Sequence, residues 1–456
     1  MSNPGDVDTT PIESVAQLAA FIAQGCKPPE RFTIGTEHEK FGFRRDDLST
    51  PGYENGGIRA VLEGLARLGG EPITDNDLPI GLKLGDASIS LEPAGQFELS
   101  GAPLADLHAT AAELDAHFSA LRAVAEPLGL GFAPVGFHPL ASRESMPWMP
   151  KGRYAIMRRY MPLVGSLGLD MMTRTCTVQV NLDYASEEDM RRKLRVGLLL
   201  QPLATALFAN SPFTEGRPNG YQSYRAHIWT DTDNQRSGIP RLMLDNDFGF
   251  VRYAAWLIDE VPMYFVYRDG RYIDVAGRCF RDFMAGRVPE LAGEVATIGD
   301  FADHMTTVFT DVRLKRFLEM RGADAGCPAM MLAQSAFWVG LLYDEAALDA
   351  ALLLLRGVGY EAVAALRAAV PRDGIEARLD AAWPVRTMRA LAKEAVAIAR
   401  AGLVSRARCD PKGCDETAFL DPLAAIAGGG PNQAQYWVNR YMSFQRGRWM
   451  AAVGFG

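Results

Sequence analysis

Histidine and cysteine are both scarce: the 456 residues contain six of each. The cysteines, Cys26, Cys176, Cys279, Cys327, Cys409 and Cys414, show no CxxC pair and no Cys/His spacing typical of zinc. So sparse a set in so long a chain excludes a disulfide framework and fits a reducing cytoplasm. Cys409 and Cys414 are near enough in CDPKGC to meet. Long apolar runs are missing too. The two longest, Val196 to Ala209 and Met330 to Tyr343, contain polar interruptions and fall short of the ~20 residues that span a bilayer. The start, MSNPGDVDTTPIES, has neither a basic region nor an apolar core, so no secretory or transit signal is expected. No long basic run interrupts a chain of net charge −8, which argues against nucleic-acid binding. There is no GxxxxGK[ST], no GxGxxG after a strand and no GxSxG, so a P-loop, a Rossmann phosphate cradle and a serine-hydrolase elbow are all excluded.

What is present is ordinary globular composition, 48% hydrophobic and 22% charged, enough for a large core without low-complexity linkers. Apolar spacing predicts helices over 14–23, 57–68, 106–128, 187–210, 328–343, 346–355 and 383–403. The tail after Asp410 is Gly-rich and gives no clear pattern. The fold class expected is α+β, with a mainly antiparallel sheet, helices over its apolar side and a helical C-terminal part. One unit, 1–456, is expected, divided into a sheet-containing portion, 1–343, and a mostly helical portion, 344–456.

Three segments alternate as strands do. In TIGTEHEKFGF, Glu37 and Glu39 share one face and His38 and Lys40 the other, with the glutamate Cα atoms roughly 6.5–7 Å apart. Their repulsion is roughly 2 kcal/mol at an effective dielectric near 20. Such a face is either an exposed acidic surface or a seat for a cation. SISLEPAGQFELS places Glu92 with Ser88 and Ser90, and Gln96 with Glu98, on polar faces either side of a Pro–Gly break expected to be a bulge or edge. TCTVQVNLD sets Gln179 and Asn181 on a polar side, with Cys176 on the apolar one, away from any catalytic use. His38, opposite the glutamates, reads as a hydrogen-bonded structural residue rather than a base.

A sheet face with several acids cannot be buried against helices, so it must line a cleft. All-oxygen ligands suit Mg²⁺ or Mn²⁺ better than Zn²⁺, with phosphate oxygens completing the shell. Basic residues are dispersed: Lys151, Arg153 and Arg158 in MPKGRYAIMRRYMP, then Arg174, Arg225 beside Trp229, and Arg313, Lys315 and Arg321 in RLKRFLEMRGAD. An arginine fork matches carboxylate or phosphate, although any one of these can equally be a surface or pairing residue. Glu319 and Arg321 share a side only if that segment is extended.

Together TIGTEHEKFGF, SLEPAGQFELSGAPL, MPKGRYAIMRRYMP, GLDMMTRTCTVQVNLDY, LFANSPFTEG, RAHIWTDTD and LKRFLEMRGAD resemble the plant-type (class II) glutamate–cysteine ligases, a branch also found in proteobacteria. The resemblance runs from about Ile12 to Tyr343. It implies the glutamine synthetase-like carboxylate–amine ligase fold, a curved antiparallel funnel. The implied reaction uses ATP, L-glutamate and L-cysteine, through γ-glutamyl phosphate, to give γ-glutamylcysteine, the first step toward glutathione. By residue it implies metal binding by Glu37, Glu39, Glu92, Glu98 and Glu319, with Gln179 and Asn181 on the same lining. Arg225 and Trp229 are implied for the substrate, Arg321 for phosphate, and Lys151, Arg153 and Arg174 as further basic contacts, with Lys151 grouped with Arg225 and Arg321 as catalytic. Glutathione as a feedback inhibitor and a monomer or weak dimer complete the expectation. The cysteines do not match the disulfide switch of plant members. A different acceptor amine, or a non-catalytic binding relative, are the competing expectations.

Overall fold

A computed structural model describes residues 8–443. The first half of the stretch read for targeting signals, and the end of the Gly-rich tail, lie outside the described residues. At the centre is a nine-stranded antiparallel sheet. Its strands are β1 (Ile34–Arg44), β2 (Glu71–Asp75), β3 (Leu78–Leu84), β4 (Ala87–Leu91), β5 (Phe97–Ser100), β6 (Leu130–Ala133), β7 (Thr177–Leu182), β14 (Val312–Leu314) and β15 (Leu318–Asp324). They lie in the order β14-β15-β7-β1-β5-β4-β3-β2, and β6 pairs with the far end of β1. Small ribbons join β8 (Phe213–Thr214) to β9 (Arg217–Pro218), β10 (Ser237–Gly238) to β13 (Phe309–Thr310), and β11 (Phe265–Arg268) to β12 (Arg271–Asp274).

Period-two alternation gives each central strand an apolar back and a polar front. Val178, Val180 and Leu182 of β7, and Leu318, Met320 and Ala323 of β15, are fully buried at the back in the main core. Helices α6 (Glu187–Phe208) and α11 (Pro328–Leu342) cover this side, with α14 (Met388–Arg406) against α11. Ser186 caps α6 by accepting from the Asp189 N–H, and the acidic first turn suits the positive end of the helix dipole. Thr36 of β1 reaches α11 through a 2.9 Å hydroxyl contact with Ser335.

His38 and Lys40 also point backward, onto α3 (Leu107–Ala125). Lys40 Nζ lies 2.8 Å from His38 Nδ1 and 3.0 Å from His117 Nε2, and 5.3 Å from the Phe118 ring centre. Burial pushes the Lys40 ammonium down to about 7 and both imidazoles well below their ordinary range. Lys40 is thus spent behind the sheet and leaves the front glutamates uncompensated from their own strand.

Several elements differ from the sequence expectation. The break at Pro93–Gly95 is neither a bulge nor an edge but the turn of a β4–β5 hairpin, closed by Gly95 N–H to Glu92 O (2.9 Å) and Glu92 N–H to Gln96 O (3.0 Å). The helix expected from Trp383 starts at Met388, where Thr387 accepts from the Ala390 N–H and Trp383 is left in the preceding turn. Helices α4 (Gly152–Val164), α5 (Gly168–Arg174), α7 (Tyr224–Ile228), α8 (Phe250–Asp259), α9 (Phe280–Met284), α10 (Ile298–Thr306) and α13 (Tyr360–Asp373) were not expected. Pro162 and Pro371 interrupt α4 and α13, and α5, α7 and α9 are too short to show a period; α8 and α10 are at least as long as α1 and had no such obstacle. The tail after Asp410 folds as α15 (Asp421–Ala427) and α16 (Gln433–Ser443). Helices α1 (Val15–Ala23), α2 (Ile58–Ala66) and α12 (Glu345–Leu354) lie where spacing places them. No helix among the described residues is long and apolar enough to cross a membrane.

Candidate active site

Antiparallel register stacks the polar residues of six strands into rows. Glu37 of β1 stands between Ser100 of β5 and Gln179 of β7. Glu39 faces Glu98, which in turn faces Ser90. Asn181 stands between Gly35 and Glu319, and Glu319 is opposite Arg313 of β14. Directly opposed Cβ atoms are about 4.5–5.5 Å apart, so these rows form one continuous acid and amide surface.

The front of the sheet opens into two adjoining cavities that share Glu37 and Arg313. The outer one has a volume of about 740 Å³ and is walled by Phe21, Tyr267, Met305 and Phe317, with Arg268, Asp300 and Asp303 at its side. The inner one is narrower, about 60 Å³, and brings Glu39, Glu92, Gln96 and Gln179 against Arg225, Trp229, Phe309 and Arg321. Glu98 sits one strand behind, accepting from the Ser90 hydroxyl at 2.7 Å.

Two electrostatic regimes coexist here. Burial, then the charges of Glu319 and Glu98, raises the Glu37 carboxyl above its ordinary range. Burial, then Glu98 and Glu92, raises Glu39 further, with Arg225 opposing. Their hydrogen bonds are few: Glu37 Oε1 accepts from Asn181 Nδ2 (2.7 Å) and Glu39 Oε2 from the Thr177 N–H (3.0 Å). Glu319 is also fully buried, yet it receives a bidentate Arg313 at 2.7 and 2.8 Å, Lys315 at 3.5 Å and Arg321. Those three cations overcome the burial cost and hold it far below the carboxylate range.

Arg321 reaches the site by simple alternation from Glu319, and β15 carries a bulge just beyond it. Met320 pairs with Val180 and Ala323 with Val178, so Arg321 and Gly322 together oppose Gln179. Arg321 donates to Gln179 Oε1 at 2.5 Å and to Glu319. From α6, Gln201 Oε1 accepts the freed Gly322 N–H (2.9 Å) and Thr205 donates to Gly322 O (3.0 Å). A Cβ on Gly322 would overlap the Gln201 amide, so any side chain at the bulge must displace Gln201.

Arg225, on the single turn α7, is 3% exposed. Its Nη2 donates to Arg321 O (3.1 Å), and its buried Nε has no partner among the described residues, nor does Trp229 Nε1. The remaining basic candidates, Lys151, Arg153 and Arg174, line neither cavity, although Lys151 and Arg153 lie within electrostatic reach of Glu92. Lys151 Nζ donates to Leu91 O (3.0 Å) behind the hairpin turn, where burial, then Arg153, pushes it down to about 7. Arg153 is buried beside the Tyr154 ring, 5.6 Å from its centre. Arg174 lies over Phe137 and faces Asp170 (3.4 Å) and Glu215 (3.3 Å), lining neither cavity. Arg313 enters the site as the cross-strand partner of Glu319, where its spacing from Glu319 across the Lys315–Phe317 turn is the signal for a hairpin. Asp324 belongs to the same surface, and the extra residue at Gly322 is what changes its side.

Among the described residues no three His, Cys, Asp or Glu side chains stand close enough together to hold a metal ion by themselves. Mg²⁺ does not require that, since it commonly takes one or two carboxylates and completes its octahedron with phosphate and water. The donor set is entirely oxygen, and Asn181 Oδ1, beside Glu37, is a buried acceptor with no partner among the described residues. Acceptors crowding acceptors fit a hard divalent cation.

An antiparallel sheet backed by helices, with acids facing buried arginines across a cleft, defines an ATP-dependent carboxylate–amine ligase. The chain belongs to glutamate–cysteine ligase family 2, which it matches over residues 33–453. Chloroplastic glutamate–cysteine ligase B of Oryza sativa subsp. japonica is 50% identical over 437 residues, 96% of this chain and 85% of that protein. The chloroplastic enzyme of Nicotiana tabacum is 50% identical over 439 residues, 96% and 80%. In three dimensions the chain is similar to a glutamate–cysteine ligase of Francisella tularensis solved in complex with AMP, with a TM-score of 0.55, 11% identity and coverage of 93% and 87%. That likeness extends to the fold. The activity is that of the family, ATP-dependent joining of glutamate to cysteine in glutathione biosynthesis.

Proposed function

We propose that L-glutamate enters the inner cavity by its α-carboxylate end, that L-cysteine and the nucleotide occupy the outer one, and that phosphoryl transfer takes place where the two meet at Glu37 and Arg313. The observation that carries this is the face-to-face arrangement of the Glu37, Glu39 and Glu92 wall and the buried Arg225 and Arg321 in one hollow. Arg225 receives the substrate's α-carboxylate on its unpartnered edge, and Trp229 with Phe309 forms the wall beside it, their rings 5.5 Å apart. The γ-carboxylate then points at the acid row. It attacks the terminal phosphorus of ATP, ADP leaves, and the cysteine amine attacks the resulting acyl phosphate and expels phosphate. Arg321 neutralises the transferring group, a role that needs position and charge rather than covalent help. Mg²⁺ or Mn²⁺, held by Glu37, Glu39, Glu92, Glu98 and Glu319 with Gln179 and Asn181 oxygens, would supply charge neutralisation at the phosphates.

We further read 1–456 as one unit in the cytoplasm. A main core that draws members from Leu18 through to Ala427 supports the first, and six free cysteines support the second. The test is ADP release from Mg-ATP and glutamate with a panel of amines. Release with cysteine or close analogues alone is expected; release with an unrelated amine, or with none, overturns the assignment.

A further inference from the structure

Asp324 ends β15 with its carboxylate fully enclosed, 1% exposed, and no step of the reaction uses it. Its Oδ2 accepts from the Asn210 N–H (2.8 Å) and the Ser211 hydroxyl (2.6 Å), and its Oδ1 from the Ser223 hydroxyl (2.8 Å). An ionised carboxylate only accepts, so each serine must donate its one proton to it. Each hydroxyl oxygen is thereby left with its lone pairs toward the backbone beyond. Ser211 Oγ accepts the Arg225 N–H (3.1 Å), and Ser223 Oγ, the cap of α7, accepts the Ala226 N–H (3.1 Å).

A helix of five residues cannot hold itself, and α7 is oriented by these bonds together with its packing on α13, α5 and β15. Two further features are shaped around the same carboxylate. Gly136 packs so close that a Cβ there would overlap it, and the Asn210 amide ties Pro134 O (3.2 Å) to Ala325 O (2.8 Å). The Asn-Ser pair of LFANSPFTEG is explained by this junction.

We propose that Asp324 is a positioning residue for Arg225, acting through the Ser211 and Ser223 hydroxyls to fix the turn that carries it. The kinetic consequence rests on the reading of Arg225 as the receiver of a substrate carboxylate. Asp324→Asn preserves shape but adds a donor, so at least one incoming N–H or hydroxyl loses its acceptor and the relay breaks.

The test is a kinetic double-mutant cycle of Asp324→Asn and Arg225→Lys, with melting temperatures measured alongside. Asp324→Asn is expected to raise KM for L-glutamate about tenfold with KM for ATP within twofold. In the Arg225→Lys background the same change is expected to cost less than twofold more. Simple additivity of the two effects, or a lowered melting temperature with unchanged kinetics, overturns the proposal. Coupling that shows in KM for ATP supports the link between the two residues and removes the substrate assignment of Arg225. Should Asp324→Asn not accumulate, Ser223→Ala and Ser211→Ala break the same relay and enter the same cycle, read in the same way.

Discussion

Glu37 and Glu319 face one hollow from neighbouring rows, yet their carboxyls are driven in opposite directions. The difference is the count of arginine and lysine within reach, three for Glu319 and none hydrogen-bonded to Glu37. Replacing Glu37 by Gln removes an unfavourably buried charge while leaving its shape. Turnover is expected to fall by at least about 100-fold, as for loss of a charged contact to a transferring phosphoryl group, with the melting temperature almost unchanged. Steady-state kinetics at saturating Mg²⁺ and a thermal melt check both halves. Asp303, beside the outer cavity, gives the pH prediction. Burial, then Asp300, raises it from 3.8 to about 6, against Arg153 and Arg268. The folded chain therefore holds this proton more tightly than the unfolded one, so stability falls as pH rises from about 4 to about 6 and stays reduced above. Asp303→Asn is expected to stabilise by about 2 kcal/mol at pH 8 and by nothing near pH 4, measured by denaturant unfolding at both values.

At the scale of the element, the bulge at Gly322 decides which residues of β15 face the site. Strict alternation from Glu319 would send Ala323 forward and Asp324 back; the extra residue reverses this and puts Glu319, Arg321 and Asp324 on one side. Gly322→Ala is expected to displace Gln201, destabilise by about 1–3 kcal/mol and lower turnover through Arg321, with a melt and kcat as readouts. The sequence made the acid rows legible because Glu37, Glu39, Gln179 and Asn181 obey a period of two, which survives any tertiary context. It did not show the hairpin at Pro93–Gly95, because Pro and Gly mark a turn and a bulge alike. It could not place Lys151 or Arg174, because an arginine's or lysine's partners come from distant segments: Leu91 O for one, Asp170 and Glu215 for the other. The pairing of Arg313 with Glu319, and the place of Asp324, were hidden for the same reason, since a cross-strand pair and a register shift exist only once strands meet.

For the whole molecule, the six cysteines are all free, and Cys327, Cys409 and Cys414 are exposed. Cys409 and Cys414 flank a turn closed by Asp410 N–H to Cys414 O (2.9 Å), remote in the chain from every strand of the central sheet. Activity is expected to change less than twofold on mild dithiol treatment, assayed before and after reduction; a large loss would show a redox control and overturn this expectation.

The strand order carries one more consequence, for how the molecule comes into being. β1 emerges early in synthesis, but its neighbour β7 waits for the middle of the chain, and β15, which brings Glu319 and Arg321, follows only after more than two-thirds has been made. Pairings between such distant segments close slowly. A nascent or truncated chain thus displays the glutamates of β1 before Glu319 and Arg321 exist to complete the surface.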